Sequence, residues 1–206
     1  LSRSMYAIDI KPNRLVRAQR KLQDLLTLRK EGVTALIAYA GDAHTVSPLT
    51  DDANTISEML PAVTPEIMPA PGSQLAPALN LAVQLFTDAG VASGRILLLT
   101  DEIRDIAESQ AIAREHRMAY PISVMSVGTA AGAPIDGSKL LRDGGYLKDF
   151  QGNLVIPRVN LSAMQGFAQV AGGRYSPMTL TDEDLDYLLA DEVVSSTTDF
   201  RELERD

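Results

Sequence analysis

Ile96-Leu97-Leu98-Leu99-Thr100-Asp101 is an unbroken apolar run of strand length that ends on a hydroxyl and a carboxylate. A strand covered on both faces reads this way, because neither side of the pleat needs polar residues. Gly94 opens the run, and a second one, Val33-Thr34-Ala35-Leu36-Ile37-Ala38-Tyr39-Ala40, has the same texture. Between them lies the clearest helical pattern of the chain. Leu75, Ala78, Leu79, Ala82, Val83 and Phe86 recur at i, i+3, i+4 and i+7, the spacing of one helix face.

The same alternation extends outward in both directions. Residues 12–30 predict a helix with Leu15, Ala18, Leu22, Leu25 and Leu26 inward, and Arg14, Arg17, Arg20 and Lys21 are expected on its solvated face. Gly41-Asp42 turns the chain into a strand over 43–49, antiparallel because the connection is too short for a crossover. A short helix over 51–60 precedes a loop stiffened by Pro61, Pro65, Pro69 and Pro71. Further on come a helix over 106–117, a strand over 122–127, a helix over 161–171 and a short strand near Arg174-Tyr175-Ser176. Thr181-Asp182-Glu183-Asp184 resembles a capping box for a last helix carrying Leu185, Leu188, Leu189 and Val193. Residues 132–157 break the pattern with Asp136-Gly137, Gly144-Gly145 and Gln151-Gly152-Asn153, signals of a β-hairpin excursion. The predicted fold class is therefore α/β: a doubly wound, mostly parallel open sheet with one antiparallel edge strand and a hairpin insertion. One domain over 1–194 and a polar tail over 195–206 are expected.

Composition narrows the chemistry. With 206 residues and 45% hydrophobic content the chain can bury a substantial core, filled by aliphatics since Trp is absent and aromatics are 5%. A net charge of −8 disfavours nucleic acid or an anionic membrane as partner. No cysteine is present, which removes thiolate metal sites, disulfides and thiol nucleophiles. The two histidines, His44 and His116, lie in separate elements and suggest neither zinc nor a triad. No run approaches the ~20 apolar residues that span a bilayer.

In open α/β sheets ligands bind beyond the carboxyl ends of strands. Asp101 lies at such an end; Ser2 and Ser4 precede the first helix; Ser73 stands two residues before Leu75. Hydroxyls in such places ordinarily cap helices. Together, three hydroxyls and a carboxylate suit a hard cation such as Mg²⁺.

Those four positions resemble the von Willebrand factor A family, whose metal-ion-dependent adhesion site carries Asp-x-Ser-x-Ser, a later Thr and an Asp after the fourth strand. Ser2 and Ser4 match the two serines, Ser73 takes the Thr position, and Asp101 matches the last carboxylate. Glu102 stands where the family usually has Gly. The stretches Asp9-Ile10-Lys11-Pro12-Asn13-Arg14, Ser47-Pro48-Leu49-Thr50, Gly144-Gly145-Tyr146-Leu147-Lys148-Asp149 and Ala171-Gly172-Gly173-Arg174-Tyr175 look like the bacterial Bat (aerotolerance) group, BatB-like.

The resemblance implies a metal-dependent protein-interaction module rather than an enzyme, with Mg²⁺ (or Mn²⁺ or Ca²⁺) on Ser2, Ser4, Ser73 and Asp101. A protein partner would present an Asp or Glu, and the parent would be membrane-tethered on the periplasmic side of the inner membrane. It also places the motif's first Asp directly before Leu1 and the first central strand before that. Loss of that Asp would weaken metal occupancy. A sheet without its central strand would leave two rows of backbone groups unpaired, at several kcal/mol; the slot is expected to be filled from outside the sequence, or the sheet to rearrange. The alternative is a structural assembly domain with a vestigial metal site that binds through the 135–157 hairpin. A hydrolase using Asp101 ranks third, for want of a general base.

Overall fold

The helices that start at Arg14, Ala53, Ala76 and Leu161 do so where a short polar side chain accepts from their free amides. The computed structural model describes residues 1–28, 32–142 and 144–190. Helix α1 (Arg14–Leu28) starts after Asn13, whose side-chain oxygen accepts from the Val16 amide at 2.9 Å. Strands β1 (Thr34–Tyr39) and β2 (Ala43–Thr50) follow, then α2 (Ala53–Met59), capped by Asp52. Two 3₁₀ turns, Leu60–Ala62 and Pro65–Ile67, carry the proline loop. Helix α3 (Ala76–Asp88) is capped from a distance, because the Asp105 carboxylate accepts from the Leu75 and Ala76 amides, each at 2.8 Å. Then come β3 (Ile96–Thr100), α4 (Ile106–His116), β4 (Ile122–Ser126), α5 (Leu161–Val170), β5 (Gly172–Pro177) and α6 (Glu183–Leu189).

Strands β3, β4 and β5 form a parallel sheet with β4 in the middle. Ile96 pairs with Ile122 and Thr100 with Ser126, so the strands end on one rim. Both faces are covered. Leu98 and Val124 pack with Leu79 of α3, Ala113 of α4 and Phe167 of α5. Met125, with Leu97 and Leu99, packs on the other side against Leu25 of α1 and Leu185 of α6. Apolar runs without alternation are the sequence counterpart of this double cover.

The strands fall into two sheets. Among the described residues, β1 pairs only with β2, antiparallel, and no ladder joins that ribbon to β3. Between them lies a trough of about 780 Å³ walled by aliphatics, including Ile37, Leu75, Leu79, Leu97 and Leu98. Tyr39 spans its rim end, its hydroxyl donating to Thr100 Oγ1 at 2.6 Å. The Leu1 backbone nitrogen donates to the Tyr39 carbonyl at the same end.

Three smaller expectations change. Arg14 and Lys21, expected in solvent, are buried, while Arg20 is exposed. The capping box before α6 does not form: Asp182 makes no cap bond, and Asp184 accepts from the Thr179 amide at 2.7 Å. The 132–157 excursion is held by isolated bridges, Asp136 to Tyr146 and Lys148 to Leu154, with Ala7 bridging Ile135. The tail over 195–206 and the domain limit at 194 lie outside the described residues. Among those described, no helix is long and apolar enough to cross a membrane.

Candidate functional site

The rim at the carboxyl ends of β3 and β4 gathers polar groups from three loops. Residues Arg3–Tyr6 form a 3₁₀ turn held by Met5 N to Ser2 O and Ala7 N to Ser4 O, each 3.0 Å. Met5 and Tyr6 are buried beneath it, which leaves the serine side chains facing the rim. Ser2 and Ser4 hydroxyls bond to each other, and Ser4 Oγ donates to Asp101 Oδ2. Asp101 follows β3 directly and is buried.

Ser73 reaches the same region by backbone packing. Gly41 and Gly72 touch: a Cβ on Gly72 would lie 2.7 Å from Gly41 Cα, and one on Gly41 would lie 2.6 Å from the Pro71 carbonyl. Only glycine permits that approach. The contact is completed by Gly41 N to Ala70 O at 3.0 Å and Gln74 N to Ala40 O at 2.7 Å. Ser73 lines the trough with Ser2 and Asp101, and its carbonyl accepts from the Arg104 amide at 3.0 Å. Among the described residues no hydrogen bond joins its side chain to theirs. Of the four predicted positions, the structure thus links Ser2, Ser4 and Asp101 directly and sets Ser73 in the lining of the trough.

Two residues of this cluster escaped the sequence reading. Arg14 is fully buried, and its Nη1 lies 3.0 Å from Asp101 Oδ2. Its Nε and Nη2 clasp Asp9 at 2.8 and 2.7 Å, and Nη2 also donates to Pro157 O at 2.8 Å. Asp9 accepts further from Thr129 N at 2.8 Å and Thr129 Oγ1 at 3.0 Å. Burial would raise the Asp9 carboxyl, but the bonds from Arg14 and Thr129 outweigh it and hold the group below its usual 3.8. Burial likewise opposes the Arg14 charge, and the two carboxylates more than restore it. The missed signal was periodicity: Arg14, Ala18, Lys21 and Leu25 stand at i, i+4, i+7 and i+11, on the buried stripe itself.

Gly128 packs against this guanidinium. Its φ of +124° is hard for an L side chain, and a Cβ there would lie 2.6 Å from Arg14 Cζ. Gly128→Ala should therefore cost of order 1–3 kcal/mol in urea unfolding.

The donor set suits a hard cation in type. Ser2, Ser4 and Asp101 offer only oxygens, and the strand ends present them together. Asp101 is the carboxylate of that set and already carries Arg14 as counter-charge. Among the described residues no group of three His, Cys, Asp or Glu side chains is placed to hold a metal.

Residues 1–103 match the family model of the von Willebrand factor type A domain. An aerotolerance-related membrane protein from Bacteroides fragilis NCTC 9343, solved with multiple mutations to serines, is 28% identical with a TM-score of 0.78, covering 87% of this chain and 88% of its own. The conserved hypothetical protein BatB from Bacteroides thetaiotaomicron is 30% identical with a TM-score of 0.76, covering 88% of this chain and 87% of its own. The SpRpn10 VWA domain shares the fold alone, at 15% identity and a TM-score of 0.56 over 87% of this chain and 85% of its own. No curated protein matches the chain.

Proposed function

Because the chain belongs to the von Willebrand factor type A domain family, in its BatB-like group, we propose that it is a protein-interaction module whose rim takes a hard divalent cation, Mg²⁺ first, and through it a partner's carboxylate. The observation that carries this is the convergence of Ser2, Ser4 and Asp101 from two separate loops at the strand ends. Ser2, Ser4 and Ser73 would hold the ion directly, and Asp101 through water. A bound divalent ion supplies a concentrated positive charge at the rim for a partner Asp or Glu. Ser4 and Arg14 both occupy Asp101 Oδ2, which suits that oxygen to orienting ligands rather than to abstracting protons; the role is binding, not catalysis. The likeness to an aerotolerance-related membrane protein supports a membrane-anchored parent, and display of this domain on the periplasmic side is part of the same proposal.

Capture of a partner from a membrane extract should fall by at least about tenfold when EDTA replaces Mg²⁺, a loss typical of one charged anchor. Calorimetry should show Mg²⁺ binding that Ser4→Ala weakens. Capture indifferent to chelator would reject the metal reading.

A second reading has its own observation. The excursion exposes Tyr146, Phe150, Leu154 and Ile156 together, Phe150 completely, and exposed apolar groups of this kind mark contact surfaces. If they form the docking face, Phe150→Ser abolishes capture and EDTA leaves it intact.

A further inference from the structure

Arg14 has no access to solvent, yet its guanidinium joins three distant parts of the chain. Nη1 holds the rim carboxylate Asp101 at 3.0 Å, Nη2 holds the carbonyl of Pro157 at the exit of the excursion, and Asp9 is clasped by two nitrogens. Asp9 carries the connection to Thr129 through that residue's amide and hydroxyl. Thr129 O then accepts from Val159 N at 3.1 Å and from Gly132 N at 3.2 Å. The path from Ser4 to Val159 is thus unbroken, and most of its links are charge-assisted.

The fork has one pose. A flat guanidinium satisfies two carboxylates and a carbonyl in fixed directions, which an ammonium cannot do. Gly128 closes against it so tightly that a methyl group would not fit. At the other end, Asp101 Oδ2 accepts from both Ser4 Oγ and Arg14 Nη1. The rim and the interior therefore share one oxygen, and whatever draws on that oxygen from the rim side loosens or tightens the hold of Arg14.

We propose that Arg14 is a positioning residue that sets Asp101 toward Ser4 at the rim and carries the state of that carboxylate to the 128–132 turn and the exit of the 135–157 excursion. Its meaning for partner binding rests on the rim-site reading above; the linkage itself rests on geometry. It makes the rim and the exposed excursion two ends of one device, with Asp101 as the element both ends bias.

Native-state hydrogen exchange of the full chain tests it, read at the amides of Thr129, Gly132 and Val159 and referenced to Asn54, which is capped by Asp52 in α2. Asp101→Asn removes the charge that Arg14 holds at the rim, and exchange at the three amides should rise about tenfold over the reference. Should that variant not fold, Ser4→Ala, which removes the hydroxyl bonds to Oδ2 and to Ser2 and leaves the Asp101 charge in place, should shift the same amides by about threefold. Arg14→Lys should exchange as fast as Asp101→Asn, since charge alone does not rebuild the fork. Adding Mg²⁺ to the unaltered chain should move the same three amides.

Exchange unchanged at Thr129 in the rim variants, a rise equal to that at Asn54, or full recovery in Arg14→Lys overturns the linkage. Absence of a Mg²⁺ effect together with absence of calorimetric heat overturns the rim-site reading, while the Asp101→Asn comparison still decides the role of Arg14.

Discussion

Arg14→Met should lower the stability of the chain by about 3–5 kcal/mol, the cost of breaking a buried pair by removing one partner. Two carboxylates, Asp9 and Asp101, would be left in the interior without their cation, and the Pro157 carbonyl without its donor. Urea unfolding followed by circular dichroism measures it, and a loss under about 1 kcal/mol, the worth of a surface pair, would contradict the described geometry. The sign of its pH dependence follows from Asp9. A carboxyl held below its ordinary 3.8 contributes stability that is complete above that value and is lost as pH falls through the lower, folded-state value. The unaltered chain should accordingly shed this contribution only below about pH 4, and Arg14→Met, in which only the Thr129 bonds oppose the burial of Asp9, should have less to shed.

Lys21→Met should cost about 3 kcal/mol by the same physics, two turns further along the same buried stripe of α1. Lys21 Nζ lies 2.9 Å from Asp184 Oδ1, both groups being buried, and it also donates to the Thr181 carbonyl. This cluster fastens α1 to the start of α6. Asp184 keeps backbone donors from Thr179 and Leu185, so its residual cost comes from the unpaired charge. The double variant Lys21→Met with Asp184→Leu should regain most of the loss in urea unfolding, because apolar replacement of a whole buried pair is often neutral. A double variant as unstable as the single one would show that the backbone bonds to Asp184, not the ion pair, anchor α6.

Both residues mark where sequence reasoning lost its grip. The strands and helices were readable because their apolar spacing is local: Ile96-Leu97-Leu98-Leu99 needs no partner to read as a doubly covered strand, and Leu75, Ala78, Leu79 and Ala82 define a face by themselves. Ser2, Ser4, Ser73 and Asp101 were singled out through a family pattern; hydrogen bonds join Ser2, Ser4 and Asp101, and Ser73 lines the trough without a bond to them among the described residues. Arg14 and Lys21 were assigned to solvent because charge usually goes there. Their burial depends on carboxylates at 9, 101, 182 and 184, most of them far along the chain, which no window around α1 contains. The same blindness hid the cap of α3, supplied by Asp105 thirty residues on.

Among the described residues the two-stranded ribbon shares no backbone ladder with the parallel sheet across the trough. Its attachment is by side-chain packing and by single bonds such as Tyr39 to Thr100. Cooperativity in a sheet protein is carried largely by continuous ladders, so this molecule has a seam along which it can open in stages. The ribbon and α2 would constitute one foldon, and β3, β4 and β5 with α3, α4 and α5 another. Amides of Leu36 and Ala38 should then exchange through a partial opening at lower denaturant than those of Val124 and Met125, whose protection should follow global unfolding alone.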